Sequence, residues 1–433
     1  MIRRTRFYTA MLAGLVLVLA AGGCGTADET QITATHAPLN TATSTPISTG
    51  TTTLTPTLTS SPTATATFTP TLVPEPISLG WIAFADGDSI DIIQTDGKGR
   101  RSIVDSVADF ENLAWSPVGN WIAYSDAGQI YIVHPDGSGL RRLTYSQGHI
   151  NSFSWSPDGQ AIVFSQLTVI GEDSEVNLFV YELDIPNIRQ LTNTLKISEF
   201  TPAYSPSGDT IAFISFGEKN WPNTSVLSII APDGTNTRHL FDPPMDVNSF
   251  SWSPDGNQIV ISSNGEIQHQ SPYNDLYIFN LQWGEFQHLI DDSENVDTHP
   301  AWSPDGEWVV FTRASCNYPA APGFKDIYVI HVSDGEIRRI SNTHKTLHPT
   351  WSPWESLQAG ETFTLTSLGA NLKLRSEPTL SGTVLDLLEE GERILVIEGP
   401  VEADEYLWYL VRVEENGDEG WVADNPGWFS INE

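Results

Sequence analysis

The sequence predicts an all-β chain, a six-bladed β-propeller followed by a small β-barrel. Three observations carry that prediction. One phrase returns six times at a near-constant period, the periods hold recurring strand-like runs, and the tail consists of short strands between glycine turns.

The phrase is Trp-Ser-Pro-Asp-Gly. It stands whole at Trp155–Gly159, Trp252–Gly256 and Trp302–Gly306, is degraded at Trp115–Gly119 and Tyr204–Gly208, and shortens to Trp351-Ser352-Pro353. Its period of about 40–50 residues is that of arrays of supersecondary units, propellers among them. Pro presets φ, Asp bonds its own backbone and Gly accepts φ > 0, so the phrase encodes a tight turn. Apolar runs follow it, as at Ala161–Phe164, Gln258–Ile261 and Trp308–Phe311, and read as second strands. Third strands recur at Ile130–Val133, Leu178–Tyr181, Leu276–Phe279 and Ile327–Ile330. Fourth strands open on basic residues, as in Arg141-Arg142-Leu143-Thr144 and Arg338-Arg339-Ile340-Ser341. Four antiparallel strands make one blade. The first unit, from Trp81, lacks a first strand, and the last, Pro349–Pro353, has nothing else. Joining them closes the ring without a free edge and gives six blades.

The repeat at Pro300–Gly306, with Val309-Val310-Phe311, Asp326-Ile327-Tyr328-Val329, Asp334-Gly335 and Arg338-Arg339-Ile340, resembles the TolB-type, or WD40-like, propeller repeat. The resemblance spans about Gly80–Pro353. It implies the fold, whereas function on such propellers ranges from scaffold to binding module to enzyme domain.

Ahead of the propeller lie two segments of different character. Arg3, Arg4 and Arg6 precede an apolar run, Met11–Ala21, that is short for a membrane span. Ala21-Gly22-Gly23-Cys24 resembles a bacterial lipobox, which implies a lipoprotein signal at 1–24 and lipidation of Cys24. An ordinary secretory signal is the alternative. Residues 25–75 are rich in Thr, Ser, Pro and Ala and nearly free of charge, a composition that cannot bury a core and reads as a disordered tether. Its ends are expected roughly 40 Å apart. The remaining cysteine, Cys316, leaves no intramolecular disulfide for a mature chain and no Cys-based zinc site.

The chain carries 54 acidic and 21 basic residues, a net charge of −33. That balance argues against nucleic acid as a partner and against docking on anionic lipid. The propeller, 76–356, has short turns on one face and long insertions on the other: Ser165–Val176, Ile214–Ser225, Ser262–Asp275 and Thr312–Lys325. Long loops on a rigid scaffold are where binding usually resides. They carry Phe216, Trp221, Tyr273, Tyr318 and Phe324, aromatics suited either to sugar and peptide contacts or to packing on the rim. The blade connectors bring Asp109, Glu111, His149, Asn151, Glu199, Asp246, Asn248, Asp297, His299 and His348 toward the channel, a set able to bind a ligand or cation or simply to hold water. No metal-ligand spacing and no cofactor motif accompanies them.

In some serine peptidases a TolB-like propeller precedes an α/β-hydrolase domain. Only about 80 residues follow the last blade here, and no Gly-x-Ser-x-Gly elbow occurs. Some related propellers are polysaccharide lyases, and His149, His299 and His348 keep that chemistry open.

The tail, 357–433, reads as a barrel of short strands. Ala370-Asn371-Leu372, Leu374-Arg375-Ser376-Glu377-Pro378, Trp408-Tyr409-Leu410-Val411 and Gly420-Trp421-Val422 resemble a bacterial SH3-like domain, with an extra residue between Asn371 and Arg375. That family often attaches proteins to cell-wall peptide or glycan. The resemblance makes Tyr406, Trp408, Tyr409, Trp421 and Trp428 candidates for a groove, with Trp408 and Trp421 better suited to filling the core of so small a barrel and Tyr406 and Trp428 to its surface.

The expected function is that of a non-enzymatic, lipid-anchored envelope protein, exported and facing outward. Its propeller would bind a protein or glycan, its barrel would contact cell wall or another envelope component, and the membrane would be reached only through the N-terminal lipid. The alternative is a propeller-type polysaccharide lyase or hydrolase acting in the channel.

Overall fold

The computed structural model describes residues 80–431 apart from 147, 171–172, 186, 221–222, 242–244, 267–273, 291–294, 316–324 and 356. Cys24, the segment 25–75, Cys316, Trp221, Tyr273, Tyr318 and Phe324 lie outside the described residues.

Six four-stranded antiparallel sheets form the propeller. Blade 1 is closed between the two ends of the array: Thr346–Glu355 pairs with Gly80–Asp86, placing Trp351 opposite Ile82 and Thr350 opposite Ala83. Blades 2 to 6 begin with the inner strands Phe110–Trp115, Ile150–Trp155, Ser198–Tyr204, Met245–Trp252 and Asn295–Trp302. Each blade is too thin to bury its own faces. The apolar core therefore lies between blades, in six clusters that run round the ring. Trp81, Phe84, Phe164, Phe213 and Phe311 are essentially inaccessible within them. Burial of each such side chain contributes about 2 kcal/mol.

The repeated phrase does more than turn the chain. At the fifth blade, Ser253 Oγ donates to Asp255 Oδ1 at 2.6 Å and accepts the Gln258 N–H at 2.9 Å. Asp255 Oδ1 also accepts the Asn257 N–H at 3.0 Å, and Gly256 sits at φ +71°. The same lattice recurs at Ser156–Asp158 and Ser303–Asp305. The leading Trp ties neighbouring blades. Its indole N–H donates to a carbonyl of the preceding inner strand, Trp155 to Ala114 at 3.2 Å, Trp252 to Ala203 at 3.3 Å and Trp351 to Ala301 at 3.0 Å. The Ser or Thr ending the fourth-strand motif fastens the chain within a single blade. Thr144, Thr192 and Ser341 each accept a third-strand N–H, from Ile130, Leu178 and Ile327, at 2.9 Å.

The tail forms a seven-stranded sheet in the order Val384–Leu388, Leu372–Arg375, Glu419–Asp424, Tyr406–Val413, Arg393–Ala403, Thr362–Leu365, Phe429–Ile431. Its core holds Phe363, Leu374, Ile394, Val411, Val422 and Phe429. This barrel is docked on blade 1 rather than tethered beside it. A Cβ at Gly99 would lie 3.0 Å from the Leu407 side chain and 3.2 Å from Trp81, at φ +61°, so only glycine lets the barrel approach. The Arg101 guanidinium lies 5.4 Å from the Trp81 ring and 4.8 Å from the Tyr406 ring. Gln94 Nε2 donates to Asp424 Oδ2 across the same seam at 3.4 Å.

Candidate functional site

The central channel is built from the inner strands. Counting back from the terminal Trp or Tyr of each strand, the preceding residue is Ala114, Ser154, Ala203, Ser251, Ala301 or Thr350, and all six are half-buried. Ser251, Ala301 and Thr350 line a mouth of about 210 Å³, rimmed by Trp115, Trp252, Trp302, Trp351 and their prolines. Two residues further back stand Asn112, Ser152, Thr201, Ser249, His299 and His348. This ring is laced from blade to blade. Asn112 Nδ2 donates to Phe153 O at 2.9 Å, the Thr201 N–H to Ser152 Oγ at 2.8 Å and the His299 N–H to Ser249 Oγ at 2.9 Å.

His299 and His348 meet, with ring centroids 3.7 Å apart, and the Phe110 edge packs on His348 at 5.4 Å. Thr201, His299 and His348 have φ of +46°, +52° and +50°, and each precedes a proline at a bulge in its strand. Left-handed backbone at non-glycine residues stores strain of about 1–3 kcal/mol, and such strain clusters at functional sites. Burial, with the Lys325 ammonium second, holds His299 down to about 4. Burial, then His299 and Lys325, hold His348 well below its ordinary value. Both imidazoles are neutral at pH 7, able to donate or accept hydrogen bonds.

The other expected channel residues do not join them. Glu199 is 2% exposed and bonded to Thr192 and Thr194, which follow the fourth strand of the preceding blade. Burial raises its pKa above the usual range, the threonine hydroxyls opposing. Asp297, 1% exposed, takes a bidentate contact from Arg313 at 2.8 and 2.7 Å. Asp246 accepts the Ser225 N–H at 2.8 Å, and Asn248 donates to Asn274 at 2.9 Å. Asn151 buries its Oδ1 without a hydrogen-bond partner. His149 Nε2 meets Glu111 Oε1 at 2.7 Å, and that contact raises its pKa. The acidic and imidazole groups expected at the channel are thus not gathered into one set. Successive strand residues point to opposite faces, so Glu111, Asn151 and Asn248, one residue before ring positions, fall out of step with them, while Glu199 and Asp297 stand two residues before Thr201 and His299 with a bulge following. Among the described residues, no group of three or more His, Cys, Asp or Glu side chains is placed to hold a metal ion.

The barrel has a second opening, of about 320 Å³. Tyr406, Trp408 and Trp428 line it with Asn371, Lys373 and Arg375. Tyr406 and Trp428 are half-buried there, and Arg101 covers one face of Tyr406. Trp408 is 1% exposed and shows the groove only an edge of the core. Tyr409, also 1% exposed, belongs to the barrel core and is corrected from groove to core, as a small barrel needs its bulk. Trp421 is half-buried in the strand facing Leu410, away from the groove lining. Sequence reasoning missed Asp136, which reaches this groove from the propeller turn Pro135-Asp136-Gly137. It also missed Lys325 and the serine and threonine members of the channel ring.

Comparison with known proteins accords with this architecture. Residues 167–360 match the TolB β-propeller domain (PD40) and residues 370–427 the bacterial SH3 domain (SH3_3). The structure of TolB from Acinetobacter baumannii aligns with a TM-score of 0.51 at 18% identity, covering 63% of this chain and 66% of that one. Over 184 residues, 36% of the chain, it is 27% identical to "Uncharacterized peptidase YuxL" of Bacillus subtilis. Over 77 residues, 16% of the chain, it is 35% identical to "Dipeptidyl-peptidase 5" of Porphyromonas gingivalis. The matches span 27% and 11% of those relatives' lengths. Both relatives are named peptidases, which corrects the non-enzymatic reading of the sequence. The chain carries a TolB-type β-propeller followed by a bacterial SH3 domain.

Proposed function

We propose that this is a cell-envelope protein that grips an extended peptide segment in its propeller channel while its SH3 domain holds a cell-wall component. The observation that carries the reading is the groove of about 320 Å³ between Tyr406, Trp428 and Lys373 on a barrel docked rigidly to the propeller. Half-buried aromatics beside a polar rim suit the apolar faces and amides of wall peptides and glycans. The channel supports the other half. Its small side chains leave space, and the hydroxyls of Ser154, Ser251 and Thr350 with the paired neutral imidazoles offer hydrogen bonds to a backbone without demanding a side-chain sequence. The peptidase names of the relatives favour a peptide over a polysaccharide as the channel ligand. An N-terminal lipid on Cys24 would place both sites at the membrane's outer face.

The test is retention of the full chain on purified cell-wall sacculi. The wild-type protein is expected to sediment with them, and Trp428→Ala to stay in the supernatant. Equal sedimentation of the two would end the groove reading. Ala301→Trp, which plugs the channel, is expected to abolish capture from a library of extended peptides and leave sacculus binding intact. New amino termini in the same samples would report peptide-bond cleavage.

A further inference from the structure

The barrel groove is not made by the barrel alone. The Asp136 turn comes from blade 2 and lies at the groove's edge. Its placement is fixed from two sides. Gly137 sits at φ +83° with Ile103 O only 3.2 Å from where a Cβ would be, so the turn is pressed onto the last strand of blade 1. That strand begins at Arg101, whose guanidinium bridges to Tyr406 of the barrel. The turn and the barrel are therefore held by the same short segment.

Within this frame Asp136 is exposed, and Oδ1 accepts the Ser138 N–H at 2.8 Å. Among the described residues it forms no ion pair, and neither does Lys373 at the same groove. The carboxylate thus retains acceptor capacity at an opening lined also by the Tyr406 and Trp428 rings, by Lys373 and by Arg375, the last donating to Gly382 O at 2.7 Å. A carboxylate beside aromatic surface is the arrangement that recognises a primary ammonium, through a charge-assisted hydrogen bond and attraction to the ring faces.

We propose that the groove is a composite site in which Asp136 of the propeller selects peptides bearing a free primary amine. The inference rests on the groove reading above and adds its specificity. It explains why the barrel is docked on the propeller, since undocking would remove the selecting acid. Asp136 is on this account a specificity-determining residue rather than a reacting one.

The probe is the tripeptide Ala-Gly-Gly amide, titrated calorimetrically into the full chain, with its N-acetylated form as control. The free amine is expected to bind at least tenfold more tightly. Asp136→Asn should remove that preference and leave the acetylated peptide's affinity unchanged, while Asp136→Glu should keep it. Melting of the Asp136→Asn protein at the wild-type temperature would show that the turn still folds. Equal binding of both peptides to wild type, both lost in Trp428→Ala, would overturn the composite site and leave the groove reading standing. Binding of neither peptide to the wild-type chain would overturn both.

Discussion

At the scale of single residues the channel turns on His299 and His348. Their rings meet at a tilt of 44° in the half-buried channel ring, and neither takes up a proton readily. The folded value for His299, about 4, lies below the ordinary value of 6.5. The unfolded chain therefore binds the proton first. The resulting contribution to stability is complete above pH 6.5 and is lost as pH falls toward 4. Replacing His348 by Gln keeps a hydrogen-bonding side chain and removes one titrating group. The urea midpoint of the wild-type protein should fall between pH 7 and pH 5 by more than that of His348→Gln. Parallel falls would show that the pair is not held neutral. The sequence marked both histidines but not their meeting. They occupy the same position counted back from Trp302 and Trp351, and that register is visible once all six inner strands are superposed. Glu199 and Asp297 looked equivalent by chemistry, yet they stand two residues earlier, Glu199 bonded to Thr194 after the preceding blade's last strand and Asp297 to Arg313 inside its own blade.

At the scale of the element, the Trp-Ser-Pro-Asp-Gly turn explains why so much of the propeller could be read without a structure. Each residue in it has a local task that needs that residue type. Ser and Asp close the hairpin, Gly takes the left-handed position, and Trp reaches the neighbouring blade. Ser253→Ala deletes both the hydroxyl bond to Asp255 and the acceptor of the Gln258 N–H. It should destabilise the propeller by about 1–2 kcal/mol. Chemical denaturation of the full chain measures it, and a change within about 0.3 kcal/mol would mean that the turn is shaped by Pro and Gly alone. The barrel was legible for the same reason, since Gly-rich turns divide its strands. Its aromatic assignments were less so. Tyr409 and Trp408 lie in one strand with Tyr406, and which of them reaches the groove depends on the strand's orientation in the closed barrel.

At the scale of the whole molecule, the docking of barrel on propeller was invisible in the sequence, because it depends on surfaces more than 300 residues apart. The seam buries Asp424 at 2% exposure and Arg101 at 7%. Burial pushes Asp424 up to about 7, with the Arg101 charge opposing, and burial brings Arg101 down to about 10. For Asp424 the sign is opposite to that of the histidines. Its folded value lies above the ordinary carboxylate value of about 3.9, so the folded chain holds the proton longer. The contribution of Asp424 to stability is highest below pH 4, declines as pH rises to about 7, and is level above that. Asp424→Asn fixes the neutral form with the same shape. Relative to wild type it should gain stability steadily from pH 4 to pH 7 and hold the gain beyond. Hydrogen exchange at the Tyr406–Val413 strand, followed in both proteins at pH 5 and pH 8, locates the effect. A loss of protection, corrected for the intrinsic rate at each pH, in wild type at pH 8 but not in Asp424→Asn places the titration at the seam that also holds Asp136 over the groove. Identical pH dependence in the two proteins would mean that Asp424 stays ionised when buried, with Arg101 rather than a proton neutralising it.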